Sequence, residues 1–112
     1  MNTITPLRTL RFQLNTFLSG PQAWFFLAEE RGYLAAEGLA LEFVEGDTAA
    51  NVVPKMAGSG GFGTAHFDVG YGDLNALIEH AANIRPHEPL AVFAAYNASP
   101  YTLAVSIHSG IT

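Results

Sequence analysis

One feature restricts the fold of this chain more than any other: strand-like segments alternate with helix-like segments. Strands show either a two-residue alternation of apolar and polar side chains or a short apolar run, whereas helices repeat apolar side chains three and four positions apart. Strands are predicted at residues 9–15, 39–45, 67–71, 90–96 and 101–107, and helices at residues 21–31, 49–57 and 73–82. This order predicts an α/β fold in which a mostly parallel sheet is flanked by helices.

Single residues mark several of the predicted element ends. Gly32 is placed to end the first helix in a left-handed conformation, and Asp73 is placed to cap the last one. Pro54 fits its helix only within the first turn, because proline has no N–H group. The last helix is predicted to bury one apolar stripe, formed by Leu74, Leu77, Ile78 and Ala81. The apolar run at residues 90–96 is typical of a parallel strand that is buried on both faces.

Composition excludes several classes of protein. The chain has 112 residues, of which 49% are hydrophobic, so a single folded domain is expected. A net charge of −5 argues against a nucleic-acid partner, because a broad phosphate-neutralising face cannot be assembled. The sequence contains no cysteine, which excludes disulfides, thiolate nucleophiles and cysteine-based metal sites. The apolar runs are far shorter than the roughly 20 residues that span a bilayer.

Polar and small residues follow four of the predicted strands. Ligands of parallel α/β sheets bind beyond the carboxyl ends of the strands, where the strand order changes direction. The segments in this position are residues 15–19, 46–48, 71–73 and 96–99. Helices that start there would direct backbone N–H groups toward a small anion. The alternative is that these residues serve only as helix caps and turns.

Other motifs predict no catalytic or cofactor chemistry. The glycine-rich run at residues 58–63 fits G-x-G-x-x-G, but it follows a predicted helix and precedes a strand, the reverse of a dinucleotide site. The histidines have no metal-ligand spacing, and Glu29 and Glu30 are adjacent on a helix, so they point apart. Trp24 could stack on a ligand, although its apolar surroundings favour a core position. The sequence therefore predicts no metal, no cofactor and no enzymatic activity.

Several stretches resemble the N-terminal part of ABC-transporter solute-binding proteins of the nitrate, sulfonate and taurine type. The stretches that carry the resemblance are LRFQLN, FFLAEERGYLAAEGLALEFVEG, TAANVVPKMAGSG, FDVGYGDLNALIE and AVFAAYNASPYTLAV. These proteins have the type 2 periplasmic binding protein fold, which thiamine-pyrimidine synthases share. The resemblance implies two α/β lobes around a ligand cleft, of which residues 1–112 would form a partial first lobe. Residues 7–100 would be the lobe body, and residues 101–112 the strand that leads toward a missing second lobe.

The resemblance also implies which residues face the cleft. These ligand-binding positions are Asn15, Thr16, Gly46, Asp47, Thr48, Tyr71, Gly72, Asp73, Tyr96 and Asn97. Asp47 would oppose an anionic ligand unless it caps the following helix. Asn15-Thr16 and Gln22 depart from the Asn-Trp and following histidine of pyrimidine binders, which weakens a pyrimidine ligand.

The function implied by this resemblance is capture of a small organic solute, such as a sulfonate, taurine or nitrate-like anion, and its delivery to an ABC permease. One alternative is pyrimidine-precursor binding or a synthase that uses a pyridoxal cofactor, for which Lys55 is the only lysine. Another is a truncated lobe without independent activity, whose exposed apolar surface would favour self-association. The protein would act in the periplasm if a leader was removed, and in the cytoplasm if Met1 is the native start.

Overall fold

A computed structural model of the chain describes residues 6–58, 66–83, 89–96, 98 and 104–111. It confirms the α/β class: three parallel strands, flanked by helices, lie in the order β2-β1-β3. The strands are β1 (Arg8–Gln13), β2 (Leu39–Val44) and β3 (Val69–Gly70). The helices are α1 (Ala23–Glu30), α2 (Tyr33–Ala36), α3 (Val52–Ala57) and α4 (Leu74–Ala82). Within these described ranges, no helix has the length and apolar content needed to cross a bilayer.

The two faces of the sheet are covered by different helices. Phe12 of β1 is in register with Phe43 of β2 and with Val69 of β3, so these side chains share one face. Phe25 of α1 packs there, with its ring centroid 4.7 Å from that of Phe12. On the other face, α3 lies so close to Gly70 that a Cβ atom there would be 2.7 Å from Cγ1 of Val52. The sheet is therefore the central layer of a three-layer arrangement.

Several predicted element ends are confirmed. Gly32 follows α1 with φ of 72°, the left-handed conformation expected of a glycine that ends a helix. Asp73 caps α4, because its Oδ1 accepts a hydrogen bond of 2.8 Å from the backbone N–H of Asn75. Pro54 lies in the first turn of α3, where its missing N–H would have no helical partner.

Strand β3 is held against β1 by an aspartate that precedes it. The backbone N–H of Arg11 donates to Oδ2 of Asp68 at 2.9 Å, and the N–H of Asp68 donates to the carbonyl of Arg11 at 2.9 Å. The pKa of Asp68 is lowered, first by the hydrogen bond from Arg11 and then by the hydrogen bond from His66. This short strand therefore gains a side-chain anchor in addition to its ladder.

The prediction of a buried strand at residues 90–96 is wrong. These residues are neither strand nor helix, and Leu90, Val92 and Phe93 are 84%, 88% and 78% exposed. Residues 104–107, the described part of the last predicted strand, are also irregular, and residues 101–103 lie outside the described residues. An apolar run becomes a strand only where another strand supplies hydrogen-bond partners, and within the described ranges no strand pairs with residues 90–96.

The predicted buried stripe of α4 is also largely wrong. Leu74 and Ile78 are each 60% exposed, Ala81 is exposed as well, and only Leu77 is half-buried. The helix forms as predicted, but it packs beside α3 rather than across the sheet. Periodicity predicted the helix itself, whereas the described residues supply no surface that covers its apolar side.

Candidate functional site

The loops that follow the three strands lie at one edge of the sheet, because parallel strands end on the same side. Residues 14–19 follow β1, residues 45–48 follow β2, and residues 71–73 follow β3. This edge holds the following predicted site residues: Asn15, Thr16, Gly46, Asp47, Thr48, Tyr71, Gly72 and Asp73. Tyr96 reaches the same edge beside Tyr71, and Asn97 lies outside the described residues.

The loops after β1 and β2 are closed against each other. The N–H of Gly46 donates to the carbonyl of Thr16 at 3.0 Å, and the N–H of Leu18 donates to Oε1 of Glu45 at 2.8 Å. A Cβ atom on Gly46 would lie 2.9 Å from the carbonyl carbon of Asn15 and would also collide with the carbonyl oxygen of Leu14. Gly46 therefore serves the close approach of two backbones, which leaves no room for a ligand between them.

A buried glutamine fixes the loop after β1. Gln22 is only 1% exposed, and its Nε2 donates to Oδ1 of Asn15 at 2.7 Å and to Oγ1 of Thr16 at 3.2 Å. Its Oε1 accepts from the backbone N–H of Ser19 at 3.1 Å. The sequence analysis named Gln22 only as a departure from pyrimidine binders and missed its structural role, although the Ser-x-x-Gln spacing of Ser19 and Gln22 is a capping-box signature. Asn15 and Thr16 are thus engaged within the protein.

A second buried glutamine joins the ends of β1 and β2. Gln13 is 1% exposed, and its Nε2 donates to the carbonyl of Leu14 at 2.9 Å. The same nitrogen lies 3.3 Å from the carbonyls of Val44 and Glu45. The alternation in β1 assigned Gln13 to the polar face but gave no sign of its burial, because the burial depends on α3 covering that face.

The acidic residue after β2 is neutralised by a lysine from α3. Oδ1 of Asp47 lies 2.8 Å from Nζ of Lys55, and Oδ2 accepts a 2.8 Å hydrogen bond from Asn51. The pKa of Asp47 is lowered well below its usual range, chiefly by the Lys55 contact. Asp47 also accepts from the N–H of Thr48 at 2.9 Å, whereas the Thr48 side chain makes no capping bond. Although Lys55 lies on a helix, its ammonium group therefore reaches a strand end.

Gly72 and Asp73, which follow β3, have structural roles. A Cβ atom on Gly72 would lie 2.8 Å from Cβ of Val52, so glycine is needed for the approach of α3. Oδ1 of Asp73 is engaged in the cap of α4. The interpretation of Gly72 and Asp73 as turn and cap residues therefore accounts for both.

A cavity of about 340 Å³ opens between the start of α1, the loop after β3 and residues 93–96. Its lining comprises Pro21, Trp24, Tyr71, Phe93, Ala95 and Tyr96. Because β1 lies between β2 and β3, the chain passes to one side of β1 after α1 and to the other side after α3. The order of the strands thus reverses at β1, which is where open α/β sheets form their ligand crevice.

The aromatic side chains of this cavity are arranged as a corner. The rings of Trp24 and Tyr71 meet at an interplanar angle of 88°, with centroids 5.9 Å apart. Trp24 is held in place by stacking on Phe25 at 3.8 Å and by donating Nε1–H to the carbonyl of Pro21 at 3.0 Å. It is 43% exposed, so the predicted core position is wrong. Trp24 is a fixed wall of the cavity.

The phenol of Tyr71 lies between the core and this cavity. Its ring packs against Phe25 with centroids 5.5 Å apart. The pKa of Tyr71 is raised, first by burial and then by the neighbouring phenol of Tyr96, which also shares a hydrogen bond with it. Tyr71 therefore stays uncharged at neutral pH and presents a ring and a hydroxyl group.

Comparison with protein-family models, with curated proteins and with solved structures finds no match to this chain. The geometry by itself defines a class of site: an aromatic cavity outside the carboxyl ends of parallel strands, at the point where the strand order reverses.

Proposed function

We propose that this chain is a solute-binding component of an ABC importer, which captures a small organic molecule and delivers it to a membrane permease. The observation that carries this proposal is the aromatic cavity formed by Trp24 of α1 and Tyr71 of the loop after β3. It supports binding because it combines apolar walls, two phenol groups and a site at the reversal of strand order. The sequence stretches that resemble importer binding proteins support the transport role.

The nearby carboxylates support binding without a chemical reaction, because each is already engaged within the protein. Asp47 is paired with Lys55, Asp73 caps α4, and Glu45 accepts a hydrogen bond from Leu18. Acid–base catalysis needs a group that can reach the substrate and exchange a proton with it. Each of these carboxylates instead has a partner within the protein, and the described lining of the cavity holds no carboxylate.

A binding experiment tests the proposal directly. The chain has one tryptophan, Trp24, and this residue lines the cavity, so its fluorescence reports on occupancy. Titration with a panel of small sulfonates, amines and heteroaromatic compounds is expected to give a saturable change in emission with at least one of them. Dialysis should then return the ligand chemically unchanged and restore the emission. Conversion of a compound without reversible binding of any would contradict the proposal.

A pyridoxal-dependent synthase is a second candidate, favoured by one observation. Although Lys55 lies on α3, it supplies an ammonium group at a strand end, 2.8 Å from Asp47. Incubation with pyridoxal phosphate, followed by removal of excess cofactor, distinguishes the candidates. A retained absorbance band that is lost in Lys55→Met would support the synthase, whereas the importer proposal expects no retained band.

A further inference from the structure

We infer that the cavity between the start of α1 and the loop after β3 is an aromatic cage for a methylated ammonium group, so that the solute is an organic cation. This inference rests on the proposed function and specifies its ligand. It replaces the anionic solute that the sequence resemblance implies with a ligand of the opposite charge.

The first argument is the arrangement of the rings. The faces of aromatic rings are electron-rich and attract a cation within about 6 Å of the ring centroid. A round cation is best surrounded by rings at steep angles to one another, whereas a flat heterocycle is best held between parallel rings. Trp24 and Tyr71 meet at 88° with centroids 5.9 Å apart, and Phe93 and Tyr96 line the same cavity. This corner suits a rounded group.

The second argument is charge. The described lining contains aromatic, proline and alanine side chains and no basic side chain, so an anion would have no charged partner there. The ammonium group of Lys55 is paired with Asp47 after β2. The chain also carries a net charge of −5, which attracts cations at long range. A site that binds a cation through ring faces requires no carboxylate of its own.

The third argument is size and access. The cavity of about 340 Å³ lies near the lower end of the volumes of ligand sites, which run from about 300 to 1,000 Å³. Trp24 and Tyr96 are 43% and 62% exposed, so their rings are open to a solute before it binds. The cavity therefore accepts a small head group without displacing the core.

Tetramethylammonium chloride is the probe that tests this inference. It should change the emission of Trp24 saturably, whereas sodium chloride at equal ionic strength should not, and neither should 3,3-dimethylbutanol, in which a neutral tert-butyl group replaces the methylated ammonium group. Methanesulfonate and pyrimidine complete the panel. Binding of either of these without binding of tetramethylammonium would overturn the inference and leave the proposed function intact. Binding of no probe at all, together with failure of the wider ligand panel, would overturn both.

Tyr96 offers a matched pair of variants. Tyr96→Phe keeps the ring, and Tyr96→Leu removes it, while both lose the hydroxyl group that faces Tyr71. We expect Tyr96→Leu to weaken tetramethylammonium binding by about threefold or more and Tyr96→Phe to leave it within about twofold, because the ring face supplies the attraction. Equal weakening of tetramethylammonium binding by both variants would overturn the inference of an aromatic cage. Tyr96 lies in an irregular, exposed segment, so we expect both variants to fold. Melting temperatures equal to that of the wild type check this expectation.

Discussion

The side-chain amide of Gln22 donates a hydrogen bond of 2.7 Å to Oδ1 of Asn15, seven positions earlier in the chain. This bond ties the residue just before α1 to the loop that leaves β1. The loop is thereby held in one conformation. Trp24, which forms a wall of the cavity, lies two residues after Gln22 in the chain. Gln22 thus positions the candidate site without lining it.

Gln22→Leu should destabilise the protein. The substitution keeps a similar volume but leaves Asn15 and Ser19 without their buried partner, which we expect to lower the free energy of unfolding by about 1–3 kcal/mol. Urea denaturation measures the change. Glu29→Gln, an exposed substitution on α1, is the control and should be nearly neutral. Equal stability of Gln22→Leu and the wild type would show that the buried network contributes nothing.

Gly46→Ala should be much more harmful than Gly20→Ala. A Cβ atom at position 46 meets backbone atoms of Leu14 and Asn15, which cannot rotate away, whereas position 20 has no atom within 4 Å. We expect a loss of about 2 kcal/mol or more at position 46 and a change of less than about 1 kcal/mol at position 20. Thermal unfolding of the two variants side by side provides the measurement. Similar melting temperatures would contradict the backbone contact.

The contact between Asp47 and Lys55 should make the free energy of unfolding depend on pH in the acidic range. Because the folded-state pKa of Asp47 is lowered, its contribution is present above the unfolded-state value of about 3.9 and is lost as the pH falls below it. The wild type should therefore be more stable than Asp47→Asn at neutral pH, and this difference should shrink as the pH falls through about 4. Both groups reach solvent, so added salt should reduce the difference.

The partner variant Lys55→Met provides the control for this pH dependence. It removes the largest cause of the lowered pKa of Asp47 while keeping the carboxylate. Its acid-side loss of stability should be smaller than that of the wild type, as measured by urea denaturation between neutral pH and about pH 3. An unchanged acid profile in both variants would show that the pair has no energetic role.

The exposed side of α4 should tolerate a charge. Ile78→Lys replaces a side chain that is 60% exposed and should change the free energy of unfolding by less than about 0.5 kcal/mol. Leu14→Ala, at a position that is 0% exposed, should lower it by about 2–5 kcal/mol. A large loss in Ile78→Lys would indicate that a surface covers this helix. Sedimentation velocity on the same samples tests the predicted self-association.

Local sequence patterns were sufficient to predict a secondary-structure element where that element depends mainly on its own residues. The alternation in residues 9–15 and 39–45 predicted β1 and β2 to within two residues at each end. Gly32 and Asp73 marked helix ends, because a left-handed glycine and a capping carboxylate act on the adjacent backbone. The rule that ligands bind at strand ends predicted a site at the edge of the sheet where the cavity opens, because that rule depends only on parallel topology.

Only the tertiary structure decided what those elements face. Their apolar side chains led to a prediction of burial for residues 90–96 and Ile78, yet most of these side chains are exposed. Burial requires a second surface, which a local pattern does not encode. The roles of Gln22, Gln13 and Lys55 likewise depend on contacts between segments that are distant in sequence or on different elements. The sequence by itself determined the parallel α/β order and the edge of the sheet at which the cavity opens. Tertiary packing determined which side chains line that cavity, since it brings Trp24 of α1 beside Tyr71 of the loop after β3.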